Sequence, residues 1–453
     1  MQKLTLLFFL CCLTFITTAQ QADYAITNVD VFTMTSEDAA PEQTILVKEG
    51  KIIAMDHYSK INTDRVKTVI DGKGKYLIPG LTEMHAHIPG NQDMDLLEET
   101  LFLYLSNGIT TIRGMLGQPY HLELKELVRK GEILSPRIYT SGPSINGGTV
   151  RSVEEAKQKV TAQKEAGYDF LKLHPGLTRQ NFDAVVATAN EVGIPYAGHV
   201  STLVGIRRAL EAKYATIDHV DGYMEGLVPD DLRVNPNTNG FFGINYTDIV
   251  DEAITEELVS LTYKQDVWIV PTQAMMERWV GPEDPRKLAK EPAMKYMNPK
   301  TVANWVATKE SVLSSPGYDA KRAQKFNIIR RDIIMQLHDA GVKILLGSDA
   351  PQVFNVPGFS IQLELDAMVR SGLDEYDALY AGTARPAEFF KAEGEYGTIE
   401  IGAWADLVLL EADPLADIDN VSKQAGVMVR GKWLSTEDIK IRLSQIEQKY
   451  KNP

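Results

Sequence analysis

Thiol chemistry is nearly absent from this chain. Its 453 residues contain two cysteines, Cys11 and Cys12, adjacent and close to the first residue. A mature protein without that segment holds no disulfide and offers no sulfur to a metal, so metal ligands must be His, carboxylate or a modified Lys. Positive charge is also short: 47 Lys and Arg stand against 61 Asp and Glu, a formal net charge of −14. That balance excludes nucleic acid as a partner, which wants a basic face, and serves solubility instead. The one long apolar run, 4–16, is shorter than the roughly 20 residues a membrane span needs. It follows Lys3 and precedes Thr17-Thr18-Ala19, so 1–19 reads as a cleaved export signal and the mature protein as periplasmic or secreted, with no stable membrane span. A lipid anchor on Cys11 or Cys12 is disfavoured, because Leu10 and Cys11 stand where such sites have a small residue.

Hydrophobic residues at 44% and charged residues at 24% are globular proportions, which exclude disorder and a membrane bundle. From 22 to 78 the chain reads as short strands parted by Gly50 and Gly72-Lys73-Gly74, and the same grammar returns in 397–399, 405–410 and 426–433. These ends predict one β-sandwich domain assembled from 22–78 and 393–436. The stretch 79–392 alternates apolar strands with amphipathic helices, as βα units do. Its strand candidates are 81–87, 109–113, 137–141, 170–174, 195–199, 216–219, 267–271 and 342–348. Eight such units predict a (β/α)8 TIM barrel. Ser152 with Glu155 predicts a capping box, and 275–315, with Trp279 and Trp305, is the candidate lid.

Active groups of such barrels lie at the C-terminal ends of the strands. His85 and His87 end the first strand, and side chains two apart on a strand share a face. Lys172 falls on the fourth, His199 on the fifth, His219 on the sixth and Asp349 just past the eighth. Each has a bland alternative taken singly: a hydrogen-bonded structural histidine, a lysine paired with an acid, or an N-cap aspartate. Six at matching strand ends make a metal site the better account. Lys172, inside Phe170-Leu171-Lys172-Leu173, is intelligible there as a carbamate formed with carbon dioxide, since an ammonium would repel metal ions. His174 shares its strand face. His57, His121 and His338 read as structural or solvated.

The residues Ile78-Pro79-Gly80-Leu81 with His85-Ala86-His87, Asp169 through Gly176, Gly198-His199-Val200, Ile217-Asp218-His219, Gly347-Ser348-Asp349 and Thr383-Ala384-Arg385-Pro386-Ala387 resemble the amidohydrolase superfamily. So does the run from Gly397 to Val408, and the likeness spans nearly the whole mature chain. It is greatest to the imidazolonepropionase-related branch with metal-dependent prolidases and Xaa-amino-acid dipeptidases. The resemblance implies one metal on His85, His87 and Asp349, a second on His199 and His219, and carbamylated Lys172 bridging them, with zinc the usual ion. It further implies hydrolysis by a hydroxide shared between the ions, with Asp349 passing its proton to the leaving amine. Three departures bear on substrate recognition: Arg113-Gly114 where relatives read Arg-Asp, Ser201 where peptidases often have Tyr, and Gly147-Gly148-Thr149 for Gly-Gly-His.

The expected function is therefore an exported binuclear metal-dependent amidohydrolase cleaving an amide bond in dipeptides or N-acyl amino acids. Arg113, Arg151 and His174 are the candidate substrate contacts, the arginines for a carboxylate. One alternative is a lactone or cyclic-amide hydrolase on the same centre; another is a non-catalytic secreted binding protein. Nucleobase deamination is disfavoured because Thr202 stands where such enzymes carry Glu, and imidazolonepropionase works without a bridging lysine. The partner is a small molecule, and a homo-oligomer is left open.

Overall fold

The computed structural model describes residues 21–90 and 92–451, so the leader read at 1–19 lies outside the described residues. Both chain ends build one eight-stranded sheet. Ala22–Val31 sits near its middle, pairing antiparallel with Ala40–Lys48 and parallel with Val66–Asp71 and Tyr76–Pro79; Leu407–Leu410 joins on the far side of Tyr76–Pro79, followed by Gln424–Val429 and Lys432–Ser435. Alternate residues from the two ends, among them Ile26, Val31, Ile45, Leu77, Leu407 and Met428, share one core, as the period-2 pattern requires.

The middle of the chain is a closed barrel. Leu81–Ala86, Ile109–Gly114 and Arg137–Thr140 form one parallel sheet, and Leu171–Leu173, Tyr196–Gly198, Thr216–Asp218 and Trp268–Val270 another. Bridges Ser141–Phe170 and Ile145–Leu173 join the two sheets. The eighth strand, expected at 342–348, is held by single bridges, Ile344 to Ile269 on one side and Ala350 to Ala86 on the other. Its main chain still pairs, since Met84 N donates to Leu346 O and His87 N to Ala350 O. Strands flanked by helices are buried on both faces, which is why Leu81–Ala86 and Ile109–Gly114 are buried along their whole length.

Helix ends follow the local chemistry. Ser152 accepts from Glu155 N to start Val153–Ala166, and Gly167 closes it with φ 90°. Glu155 turns its carboxylate to Arg151 N and not to Ser152 N, so the expected capping box is half made. The candidate lid 275–315 is not an open loop. It is chiefly helical, Gln273–Val280, Pro285–Leu288 and Pro299–Leu313 with a 3-10 turn between, and Trp305 packs edge-on to Phe354. Over the barrel mouth the segment after the sixth strand brings Phe242 to 5.7 Å from the His199 ring and 5.4 Å from that of His219, and Trp279 of the candidate lid packs 4.7 Å from Phe241.

Candidate metal centre

All six side chains expected at the centre gather at one end of the barrel. His87 Nε2 lies 2.7 Å and His85 Nε2 3.7 Å from Asp349 Oδ1, and one ligand atom from each of the three falls within 4.8 Å of the others. Lys172 Nζ is 3.3 Å from His85 Nε2. The His219 ring lies 4.5 Å from both His85 and His199, so the imidazoles form a continuous row. This convergence follows from strand register: residues at equivalent C-terminal positions of neighbouring parallel strands must point to the same mouth.

A second layer fixes which ring nitrogen faces inward. His85 Nδ1 lies 3.1 Å from Asp218 Oδ2, His199 Nδ1 3.0 Å from Asp221 Oδ2, and His219 Nδ1 2.8 Å from Thr272 Oγ1. The contacts at His199 and His219 occupy one nitrogen and leave the other as a lone-pair donor, the arrangement that metal-binding histidines require, whereas His85 Nδ1 and Asp218 Oδ2 are close without a hydrogen bond. His219 Nε2 is buried with no hydrogen-bond partner, an orphan whose desolvation a cation would relieve. Glu83 accepts from His85 N (2.9 Å), Ser348 N (2.8 Å) and Ser348 Oγ (2.5 Å), so one carboxylate ties the backbone before His85 to that before Asp349. His219, Thr272 and Asp349 all take left-handed backbone, φ 65°, 47° and 61°. For a residue with a Cβ this costs about 1 kcal/mol or more, and it persists where surroundings over-determine it. Here Arg330 Nη1 donates to His219 O and Asn355 Nδ2 to Ser348 O, each at 2.7 Å.

Burial dominates the electrostatics. It holds His85 and His219 well below the usual imidazole range, with the neighbouring Lys172 charge acting the same way. It also lowers Lys172, against the pull of Asp218 and Asp349, which favours a free amine there. Burial pushes Asp218 up, but Arg113 and Lys172 more than offset it and leave the carboxyl below its ordinary value. The Lys172 stem needs Gly198: a Cβ there, at φ 122°, would meet Lys172 Cδ at 2.9 Å and Leu173 O at 2.5 Å.

The expected substrate contacts fare differently. Arg113 is corrected: its guanidinium is wholly buried beneath the centre, donating to Met84 O (2.6 Å), Thr216 Oγ1 (3.0 Å) and Asp218 Oδ1 (3.1 Å), so no substrate carboxylate reaches it. A buried charge is tolerated only with such partners. Arg151 is exposed in the segment after the third strand, its Nε donating to Gly148 O. His174 is half-buried, with its ring 4.9 Å from that of His199 and its Nδ1 2.8 Å from Ser144 Oγ. Ser201 spends its hydroxyl on Leu177 O.

A cavity of about 570 Å³ opens beside His199, lined among others by Thr202, Asp221, Glu225, Asn239, Phe241 and Phe242. Burial raises both Asp221 and Glu225 above the usual carboxylate range. Glu83, Asp221, Glu225, Thr272 and Arg330 went unnoticed in the sequence. Asp218 alone carried a signal, standing two residues past Thr216 and directly before His219.

Comparison with known proteins agrees with this geometry. The Amidohydrolase family matches residues 76–434. Adenine deaminase 2 of Shouchella clausii (strain KSM-K16) is 31% identical over 90 residues, 20% of this chain; the chain spans only 15% of that relative. The 5-methylthioadenosine/S-adenosylhomocysteine deaminase of Thermoanaerobacter pseudethanolicus is 22% identical over 94% of this chain and 98% of its own length. A solved Xaa-Pro dipeptidase with bound methionine in the active site superposes with a TM-score of 0.67 at 19% identity, over 91% of this chain and 99% of that one; at such identity the likeness is one of fold. The chain belongs to the amidohydrolase family, metal-dependent hydrolases that act on carbon–nitrogen bonds, and folds as a TIM barrel with a small β domain from both termini.

Proposed function

We propose that this protein hydrolyses an amide bond in dipeptides or N-acyl amino acids, using two divalent metal ions. The observation that carries the reading is the orphaned His219 Nε2 beside His85, His87, Lys172, His199 and Asp349, with His199 Nδ1 and His219 Nδ1 held by Asp221 and Thr272. Neutral imidazoles and a carboxylate suit zinc. In this reading His85, His87 and Asp349 hold one ion, His199 and His219 the other, and Lys172, as a carbamate, both. Bound there, the ions would polarise the scissile carbonyl and acidify water at neutral pH. In this reading Asp349 accepts a proton and returns it to the leaving amine, while Asp221 and Thr272 orient the His199 and His219 rings and the Asp218 charge lies 3.1 Å from His85 Nδ1. Phe242 shields His199 and His219 from bulk water, which strengthens each charge contact beneath it.

Deamination of a purine ring, which the relatives' names suggest, fits less well: Thr202 has no acid to give, and its Oγ1 accepts from Asn239 Nδ2 at 3.3 Å. Export belongs to the proposal too, and N-terminal sequencing of the mature protein should begin after Ala19. The test of the whole reading is a panel of dipeptides, N-acyl amino acids, lactones and aminopurines given to enzyme expressed with zinc and bicarbonate. Release of amino acid from the amides supports it. Turnover confined to lactones or aminopurines, or none, overturns it.

A further inference from the structure

Granting the amide-hydrolase reading, on which this rests, we propose that the cavity beside His199 selects a substrate whose side chain ends in a cation, an ammonium or guanidinium group received by Glu225 and the rings of Phe241 and Phe242.

Three observations converge. The cavity has two carboxylates in its wall, Asp221 and Glu225, and no Lys or Arg among its lining residues. A carboxylate side chain entering this wall, away from the ions, would meet acids and no basic side chain to pair with, which discriminates against anionic side chains. The two acids are not equivalent. Asp221 Oδ2 is committed to His199 Nδ1 and Val200 N, whereas Glu225 Oε1 accepts from Asn239 Nδ2 (3.0 Å) and Oε2 is buried without any partner. An unfilled buried acceptor on an acid is the group a charged donor satisfies best. Phe241 and Phe242 also line the cavity, their centroids 4.6 Å apart at 82°, and Phe241 is braced 4.7 Å from Trp279. Aromatic faces beside an acid attract cations and give an anion nothing. The chain's net charge of −14 draws the same ligands toward it.

Isothermal titration of the intact, metal-loaded protein with L-lysine and L-norleucine, which have no amide bond to cleave, isolates the terminal ammonium, since the two are otherwise alike. The lysine compound should bind about tenfold more tightly, the worth of one charged hydrogen bond. Glu225→Gln, matched in shape and checked for an unchanged Tm, should bring the ratio near one; Phe242→Leu should reduce it without abolishing it. Equal binding by the unaltered protein, or a preference untouched by Glu225→Gln, overturns the proposal. Dipeptides with lysine, norleucine and glutamate side chains, run on the same samples, separate the two claims. Cleavage without preference for lysine sinks the cation pocket and leaves the hydrolase standing. Preferred binding of the lysine compound with no cleavage of any amide supports the pocket and overturns the hydrolase reading.

Discussion

His87 Nε2 and Asp349 Oδ1 lie 2.7 Å apart across the seam where the eighth barrel strand closes on the first. The contact exists because Ala86 and Ala350 bridge that seam and Glu83 fastens Ser348 N to the first strand. Asp349→Asn keeps the shape but removes both the charge and the proton acceptor. We expect kcat to fall by about 10²- to 10⁴-fold, the usual worth of a positioned acid–base group, with a lower metal content per chain. Steady-state kinetics and elemental analysis on one preparation check both effects.

Asp221 acts through His199. Asp221→Asn leaves the ring packed but weakens its orientation, and metal affinity should drop by about 10- to 100-fold, as second-layer partners of ligating histidines generally show. Competition against a zinc chelator measures it. An unchanged affinity would separate His199 from the metal.

Arg113 should matter to folding and not to substrate binding. Removing it leaves Asp218 charged and buried, which costs about 3–5 kcal/mol. Denaturant titration of Arg113→Met should show a loss of that order, while any residual activity keeps the wild-type KM. A raised KM with intact stability would return Arg113 to the substrate.

Glu364 gives the stability a pH dependence away from the centre. Its carboxyl accepts from Gln273 N (2.9 Å) and Ala274 N (2.8 Å), yet burial dominates and pushes it from 4.5 to about 8. A raised acid binds its proton more tightly folded than unfolded. Its contribution therefore declines as pH rises from about 4.5 to about 8, and is fully present below that window. The Tm difference between wild type and Glu364→Gln should shift against wild type across that range. A difference constant with pH would contradict the assignment.

The strand ends and the residues on them were legible because a closed parallel barrel writes short apolar runs, and the polar exceptions in those runs, such as Lys172 in Leu171–Leu173, stand out. What was not legible has no local pattern. Arg113 looks like a rim residue in a strand of the right phase; only contacts to Thr216 and Asp218, more than a hundred residues away, show that it lies within the barrel. Asp221 and Glu225 follow His219 on a tight turn and a short helix whose direction depends on left-handed backbone at His219 and Val220. The helical build of the candidate lid at 275–315 had a readable signal: Pro285, Pro292 and Pro299 each open a helical turn, the position where proline loses no hydrogen bond.

The central claim is that the buried Lys172 amine, 3.3 Å from His85 Nε2 and 3.7 Å from Asp218 Oδ2, is carbamylated and joins two ions. Carbon-13 NMR of active, zinc-loaded enzyme prepared in labelled bicarbonate measures this directly. The account predicts one carbamate carbon per chain, absent from Lys172→Ala along with the activity. Fully active enzyme with no labelled carbon would contradict it.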